Sequence, residues 1–128
     1  MAQNTFPIVG MFYRPPAKAL IDVLAVGTPL LLIAEPDNAY DPNAIAVWLH
    51  SRDIPEASHP MLEETLPPFG KSLEEVLSEE EWHLGYIAKE MAAQLRQCGA
   101  VGTDKAVEVT FATSASGAPR VRFAEAPY

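Results

Sequence analysis

The stretch from Glu35 to Val47 reads EPDNAYDPNAIAV and changes character halfway along. Its first part, Asp37–Asn43 (DNAYDPN), is dense in residues that favour turns. From Ala44 to His50 (AIAVWLH) apolar side chains alternate, which is typical of a strand. The preceding segment, Gly27–Glu35 (GTPLLLIAE), reads as a buried strand bounded by a glycine and by Glu35-Pro36. The sequence therefore predicts two strands separated by a long turn.

Other short strands follow from the same signals of β-forming residues bounded by turns. They are predicted at Phe6–Tyr13, Trp82–Ile87, Ala106–Thr113 and, after a turn at Ser114–Pro119, from Arg120 to Phe123. Ala17–Leu24 is expected to be short and helical or irregular. About six short strands with one or two short helices predict a mainly β (α+β) fold, a small closed or nearly closed barrel.

One helix is predicted after the fourth strand, from Lys89 to Cys98, with Gly99 as its stop signal. Met91, Leu95 and Cys98 would share its apolar face. We therefore expect Cys98 to lie in the core rather than to act as a nucleophile.

The segment from residue 51 to residue 81, called the acidic segment below, differs from the rest in composition. It holds nine acidic side chains against Arg52 and Lys71, a net charge of −7 out of −8 for the whole chain. It also contains four prolines. The capping-box sequence Ser72-Leu73-Glu74-Glu75 predicts one short helix in an otherwise loop-like insertion. Because the remaining chain is nearly neutral, coating of duplex DNA is not expected, whereas a small site for a few nucleotides is compatible with this charge.

Length and composition predict one domain without a second, catalytic one. The chain has 128 residues, 48% of them hydrophobic, which is ordinary for a globular domain. No apolar run approaches the ~20 residues that a membrane span needs, and the N-terminus lacks the pattern of a secretion signal. The lone cysteine excludes an internal disulfide. A cytoplasmic protein is expected.

Three segments, in order, resemble the HIRAN family: Ile8–Tyr13 (IVGMFY), Glu35–Val47 and Leu84–Ala92 (LGYIAKEMA). The middle one is close to the family pattern P-x-N-x-Y-D-x-N-A-I-x-V. The resemblance implies an OB-like barrel that captures the 3′ end of single-stranded DNA, a module that eukaryotes fuse to DNA-remodelling helicases. We expect a stand-alone HIRAN-like domain over residues 1–128, with an acidic, proline-rich insertion at about 51–81. A role in repair or replication-fork processing, beside a helicase or nuclease partner, is the implied context.

The resemblance also implies site residues. Tyr13 and Tyr40 match positions that stack on the terminal bases, Asp41 matches the acceptor of the 3′-hydroxyl, and Lys89 matches a phosphate contact. Further candidates for the DNA-binding set are Phe12, Asn38 and Tyr86. The sequence departs from the family in two of them. Phe12 stands where eukaryotic members carry arginine, so that an aromatic face replaces a cation. Tyr86 stands where some members have histidine.

Simpler interpretations stay open at several of these positions. Asp41-Pro42-Asn43 is also ordinary turn chemistry, in which Asp and Asn bond local backbone amides. A calcium loop at Asp37–Pro42 would place Ala and Pro where a ligand and Gly belong, and the three histidines lack zinc-ligand spacing. No metal or other cofactor is therefore predicted.

Two functional hypotheses remain. No catalytic motif is visible, so a binding module is favoured over an enzyme. The alternative is a protein-interaction adaptor that acts through the acidic insertion without binding DNA. Oligomeric state is left open.

Overall fold

A computed structural model describes residues 5–10, 20–21, 24, 26–103, 106–113 and 119–123. Six antiparallel strands form a closed barrel in the order β1-β4-β3-β2-β5-β6, with β6 pairing back onto β1. The strands are β1 Thr5–Val9, β2 Pro29–Ala34, β3 Ile45–His50, β4 Glu81–Ile87, β5 Val107–Thr113 and β6 Pro119–Phe123. The predicted mainly β barrel is confirmed.

Alternation along the strands explains which residues fill the barrel, because successive side chains of a strand point to opposite faces. Leu30 and Leu32 of β2 are buried, as are Val47 and Leu49 of β3. At the seam between the first and last strands, the rings of Phe6 and Phe123 meet edge to face at 5.4 Å. The inside of the barrel thus forms the centre of the core.

The first strand is shorter than predicted. It ends at Val9, and Gly10 follows with a φ of +84°, a left-handed conformation that glycine adopts without strain. Residues 11–13 of the predicted strand lie outside the described residues. Most of the predicted helical or irregular stretch, Ala17–Leu24, and the turn before β6 also lie outside the described residues. Within that stretch, Leu20 and Ile21 are helical and buried.

The acidic segment is more ordered than the sequence predicted. Beside the helical residues Leu20 and Ile21, the structure gives bounds for α1 His59–Thr65, α2 Leu73–Ser78 and α3 Lys89–Gln97, and α1 and α2 lie in this segment. The predicted cap is present, since Ser72 Oγ accepts a hydrogen bond from the Glu75 amide at 3.1 Å. The expectation of one helix in a loop-like insertion was wrong, because proline is compatible with the first turn of a helix and Pro60 occupies that position in α1.

Apolar side chains of the acidic segment belong to the same buried cluster as the barrel interior. Ile54, Leu62, Leu66 and Val76 are at most 4% exposed. The indole Nε1 of Trp82, at the start of β4, donates to the Val76 carbonyl oxygen at 2.8 Å. The segment is therefore packed onto the barrel rather than looped out from it.

The helix α3 matches its prediction to within one residue, with a correction at its end. Cys98 is the C-cap and is exposed, so the expectation that it lies in the core was wrong. Ala92 and Leu95 form the buried face instead. The chain turns away at Gly99, which has a φ of +80°, and this turn carries Cys98 off the apolar face. No described helix has the length and apolar character needed to cross a membrane.

Candidate functional site

A cavity of about 400 Å³ opens at the end of the barrel where β3 begins and β4 ends. Its described lining comes from the end of β1, the turn before β3, the end of β4 and the start of α3: Val9, Asn38, Tyr40, Asp41, Ala44, Tyr86, Ile87 and Lys89. Five of the seven predicted site residues therefore line one cavity. The other two, Phe12 and Tyr13, lie outside the described residues.

The turn from Glu35 to Ala44, called the cavity turn below, is closed by its own backbone. The Glu35 amide donates to the Ala44 carbonyl at 2.9 Å, and the Ala44 amide donates to the Asp41 carbonyl at 3.0 Å. The Asn38 amide donates to the Glu35 carbonyl at 3.0 Å. The first bond extends the β2–β3 ladder beyond the Ala34–Ile45 pair and the other two close the turn, so the turn is held at a fixed place on the barrel rim.

Asn38 shapes the middle of the cavity turn. Its Oδ1 accepts hydrogen bonds from the backbone amides of Tyr40 at 2.9 Å and Asp41 at 3.0 Å. A short side chain that bonds backbone two or three residues ahead is the reason why asparagine is favoured in such turns. Asn38 thus holds the backbone that carries the next two candidates.

Tyr40 and Asp41 occupy different environments on this turn. The side chain of Tyr40 is 96% exposed, so its ring has a face available to a planar ligand. Asp41 is half-buried, and its Oδ1 accepts from the Asn43 amide at 2.9 Å. The turn interpretation of Asp41 is therefore correct for this oxygen. Its other oxygen makes no hydrogen bond within the described part of the chain, which leaves it able to accept from a ligand.

Tyr86 forms the opposite wall, on β4. Its ring meets the His83 ring edge to face at 4.9 Å, and His83 stacks on Trp48 at 4.9 Å. Residues three apart on a regular strand point to opposite faces. The β3–β4 register shifts beside Trp48, however, and such a bulge lets His83 and Tyr86 share one face. Neither this bulge nor the ring contacts of His83 with Tyr86 and Trp48 were predicted from the sequence.

Glu35 was not among the site residues predicted from the sequence, although it contacts both the cavity turn and Tyr86 on the opposite wall of the cavity. Its Oε1 accepts from the Tyr86 hydroxyl at 3.0 Å and from Asn38 Nδ2 at 3.0 Å. The first of these contacts spans 51 residues of sequence. The only feature of the sequence that could have suggested a role for Glu35 was its place at the end of a strand, just before the cavity turn.

Lys89 is the one cation among the described residues that line the cavity. It is exposed and is the first residue of α3, whose N-cap, Ala88, offers no side-chain cap. The Ala88 amide donates to the Pro7 carbonyl at 3.1 Å, which ties this end of the helix to β1. Since the first amides of a helix lack partners within it and carry partial positive charge, they add to the attraction of Lys89 for an anion.

The acidic segment contributes no described residue to the cavity lining. It leaves β3 at His50 and rejoins β4 at Glu81, which pair with each other at one end of the ladder. The cavity lies at the other end, beside the Ala46–Tyr86 pair. Four residue-to-residue steps along β3, from Ala46 to His50, separate the two ends by a distance on the order of 13 Å. Within the described ranges, no group of three His, Cys, Asp or Glu side chains is placed to hold a metal ion.

The fold and site define a class: a small closed antiparallel barrel with a rim cavity between an asparagine-shaped turn and the start of a helix. A family model described as the HIRAN domain matches residues 4–117. The chain therefore belongs to the HIRAN family. Comparisons with curated proteins and with solved structures found no significant match.

Proposed function

We propose that the rim cavity binds the 3′ end of single-stranded DNA and prefers an end with a free hydroxyl. The observation that carries this proposal is the grouping of Tyr40, Asp41, Tyr86 and Lys89 around one cavity. Membership of the HIRAN family supports it, since the three motifs that carry the family resemblance include all four residues. The protein would act as a binding module without chemistry of its own.

Stacking would supply most of the affinity. Each base on an aromatic face is typically worth ~1–3 kcal/mol, and every base has such a face. Tyr40 presents an exposed ring on one side of the cavity and Tyr86 a half-buried ring on the other. Tyr13 and Phe12 join this set on the strength of the family resemblance.

Asp41 would read the terminal sugar. A carboxylate accepts a strong hydrogen bond from a hydroxyl and repels a phosphate. One oxygen is already fixed by the Asn43 amide at 2.9 Å, so the carboxylate is oriented before the ligand arrives. A strand that continues through a phosphodiester, or ends in a phosphate, would meet this carboxylate with like charge.

Lys89 and the first amides of α3 would bind a backbone phosphate. With one described cation at the cavity, the site neutralises few phosphates. The affinity should therefore fall by only ~0.7 log units per log unit of salt for each phosphate neutralised. Service to DNA repair or fork processing, with a helicase or nuclease as protein partner, is the biological context that we propose from the family.

Fluorescence anisotropy tests the proposal. A short labelled strand ending in a 3′-hydroxyl would be compared with the same strand ending in a 3′-phosphate, for the wild type and for Asp41→Ala. We expect the wild type to prefer the hydroxyl by about tenfold or more, the range of a hydrogen bond to a charged group. The preference should shrink in Asp41→Ala. Equal affinity for both strands, or binding to neither, would rule out an end-reading site.

A second function, docking of a basic protein partner, is favoured by the surface of the acidic segment. Its Glu79, Glu80 and Glu81 are exposed in a row. Leu77 on α2, two residues before them, and Met61 on α1, elsewhere in the segment, are exposed apolar side chains. Since buried residues of this segment belong to the core, substitution is a cleaner test than deletion. The triple change of these glutamates to glutamine should weaken binding of a lysine-rich peptide if the segment docks partners, and leave it unchanged if not.

A further inference from the structure

The side chain of Glu35 joins the two walls of the rim cavity. A single oxygen, Oε1, accepts from the Tyr86 hydroxyl on β4 and from Asn38 Nδ2 in the cavity turn, both at 3.0 Å. Asn38 in turn bonds the amides of Tyr40 and Asp41. Glu35 is thus bonded directly to Tyr86 in one wall, and it is linked through Asn38 to the wall that carries Asp41.

The backbone of Glu35 is fixed independently of any ligand. Its amide bonds the Ala44 carbonyl and its carbonyl accepts from the Asn38 amide, directly beyond the last β2–β3 pair. The carboxylate therefore projects from a rigid point of the barrel rim, and the groups bonded to it are held relative to that point.

An ionised carboxylate only accepts hydrogen bonds, so both of its partners must donate. The amide of Asn38 has to turn its Nδ2 toward Glu35, which leaves Oδ1 facing the amides of Tyr40 and Asp41. The hydroxyl of Tyr86 has to give its proton to Glu35. Glu35 thereby selects the orientation of Asn38 that the cavity turn requires.

We infer that Glu35 is a positioning residue that sets the preference of the cavity for a hydroxyl end. This inference rests on the proposed function, and it assigns the preference to the geometry that Glu35 imposes as well as to Asp41 itself. Without Glu35, the Asn38 side chain loses the bond that selects its orientation, the cavity turn that carries Asp41 is held less firmly, and the Tyr86 hydroxyl loses its bond to the Glu35 carboxylate.

Two substitutions separate geometry from charge. Glu35→Gln keeps a carbonyl oxygen that can accept from both partners, while it removes the charge. Glu35→Ala removes both hydrogen bonds. If the role is positioning, glutamine retains the hydroxyl preference and alanine loses it; if Glu35 acts by repelling phosphate, both variants lose it.

The experiment combines binding with a readout that needs no DNA. Anisotropy would be measured with the 3′-hydroxyl and 3′-phosphate strands for the wild type, both Glu35 variants and the control Glu79→Ala, an exposed glutamate of the acidic segment. NMR would follow hydrogen exchange of the Tyr40 and Asp41 amides in the free proteins. We expect Glu35→Ala to lose about tenfold in hydroxyl-end affinity, as two lost hydrogen bonds predict, to lose most of the preference, and to speed exchange at both amides. Glu35→Gln and Glu79→Ala should bind the hydroxyl-ended strand as the wild type does, with affinities less than about twofold apart.

Each other result has a separate meaning. Unchanged preference and unchanged amide exchange in Glu35→Ala would overturn the positioning role even if the wild type reads DNA ends. If the wild type binds neither strand, the proposed function fails, and the exchange rates still decide whether Glu35 positions the turn. If Glu35→Ala does not fold, Tyr86→Phe removes one of the two bonds and should lower hydroxyl-end affinity about threefold; no change would count against the inference.

Discussion

The cavity turn and the acidic segment flank the same strand, β3, and are stabilised in opposite ways. The cavity turn, residues 35–44, is shaped by polar bonds from Asn38 and Asp41 to backbone amides, and it leaves the Tyr40 ring exposed. The acidic segment is held by buried apolar side chains such as Leu62 and Val76, and it leaves its carboxylates exposed. The first arrangement groups polar and aromatic side chains around the rim cavity, whereas the second presents charge on an exposed surface.

The largest effect is expected from breaking the packing of the acidic segment. Leu62→Ala removes a side chain that is fully buried in the common core, which typically costs 2–5 kcal/mol, or ~3 kcal/mol here, in the free energy of unfolding. Urea unfolding would measure this loss. We propose that residues 51–81 fold with the barrel as a single domain, so the whole protein should unfold in one transition.

The control for Leu62→Ala is Leu77→Ala, a leucine of α2 in the same segment that is 38% exposed. It should cost well under half as much, since less apolar surface is lost from the core. Two separate unfolding transitions, or equal costs for the two leucines, would contradict the packing described here.

A substitution in the cavity turn should change the affinity for DNA rather than the free energy of unfolding. Tyr40→Ala removes an exposed ring, so its unfolding free energy should change by less than ~0.5 kcal/mol, while its affinity for a 3′-hydroxyl strand falls by ~1–3 kcal/mol. Anisotropy and urea unfolding would be run on the same sample. Tyr40→Phe, which keeps the ring, is the matched control and should bind like the wild type. A loss in Tyr40→Phe as large as in Tyr40→Ala would mean that stacking is not the main contribution.

The sequence was sufficient to predict the strands that flank the cavity turn. It was insufficient to predict the side-chain hydrogen bonds that join this turn to β4. Local alternation and turn residues correctly predicted β3, and the capping box correctly predicted α2. The bond between Glu35 and Tyr86 joins residues far apart in the chain, and the β-bulge that places His83 and Tyr86 on one face has no local sequence pattern. Helix α1 was missed because four prolines suggested a loop, and Cys98 was misplaced because the helix ends one residue before it.

A smaller effect is expected at the one described cation of the cavity. Lys89→Ala should lower affinity by about 1 kcal/mol at physiological salt and reduce the slope of log affinity against log salt by ~0.7. Lys71→Ala, in the acidic segment, serves as control and should alter neither value. Equal effects from the two lysines would show that overall charge, rather than the cavity, attracts the strand.

The smallest effect is expected from neutralising the acidic segment. Changing Glu79, Glu80 and Glu81 together to glutamine should raise DNA affinity by less than about twofold. Their strand end lies on the order of 13 Å from the cavity end, beyond the screening length of ~8 Å at physiological salt. Anisotropy at 0.15 M salt would measure it. An increase of tenfold would show that the segment's charge reaches the bound strand.

The most direct test of the contrast between the two regions is an NMR titration of ¹⁵N-labelled protein with a short single strand ending in a 3′-hydroxyl. We expect the changes in amide chemical shift to concentrate at residues 38–43 and 86–89, while the signals of residues 51–81 stay near their positions in the free protein. Shifts concentrated in the acidic segment, or none at the cavity turn, would contradict the assignment of the rim cavity as the DNA-end site.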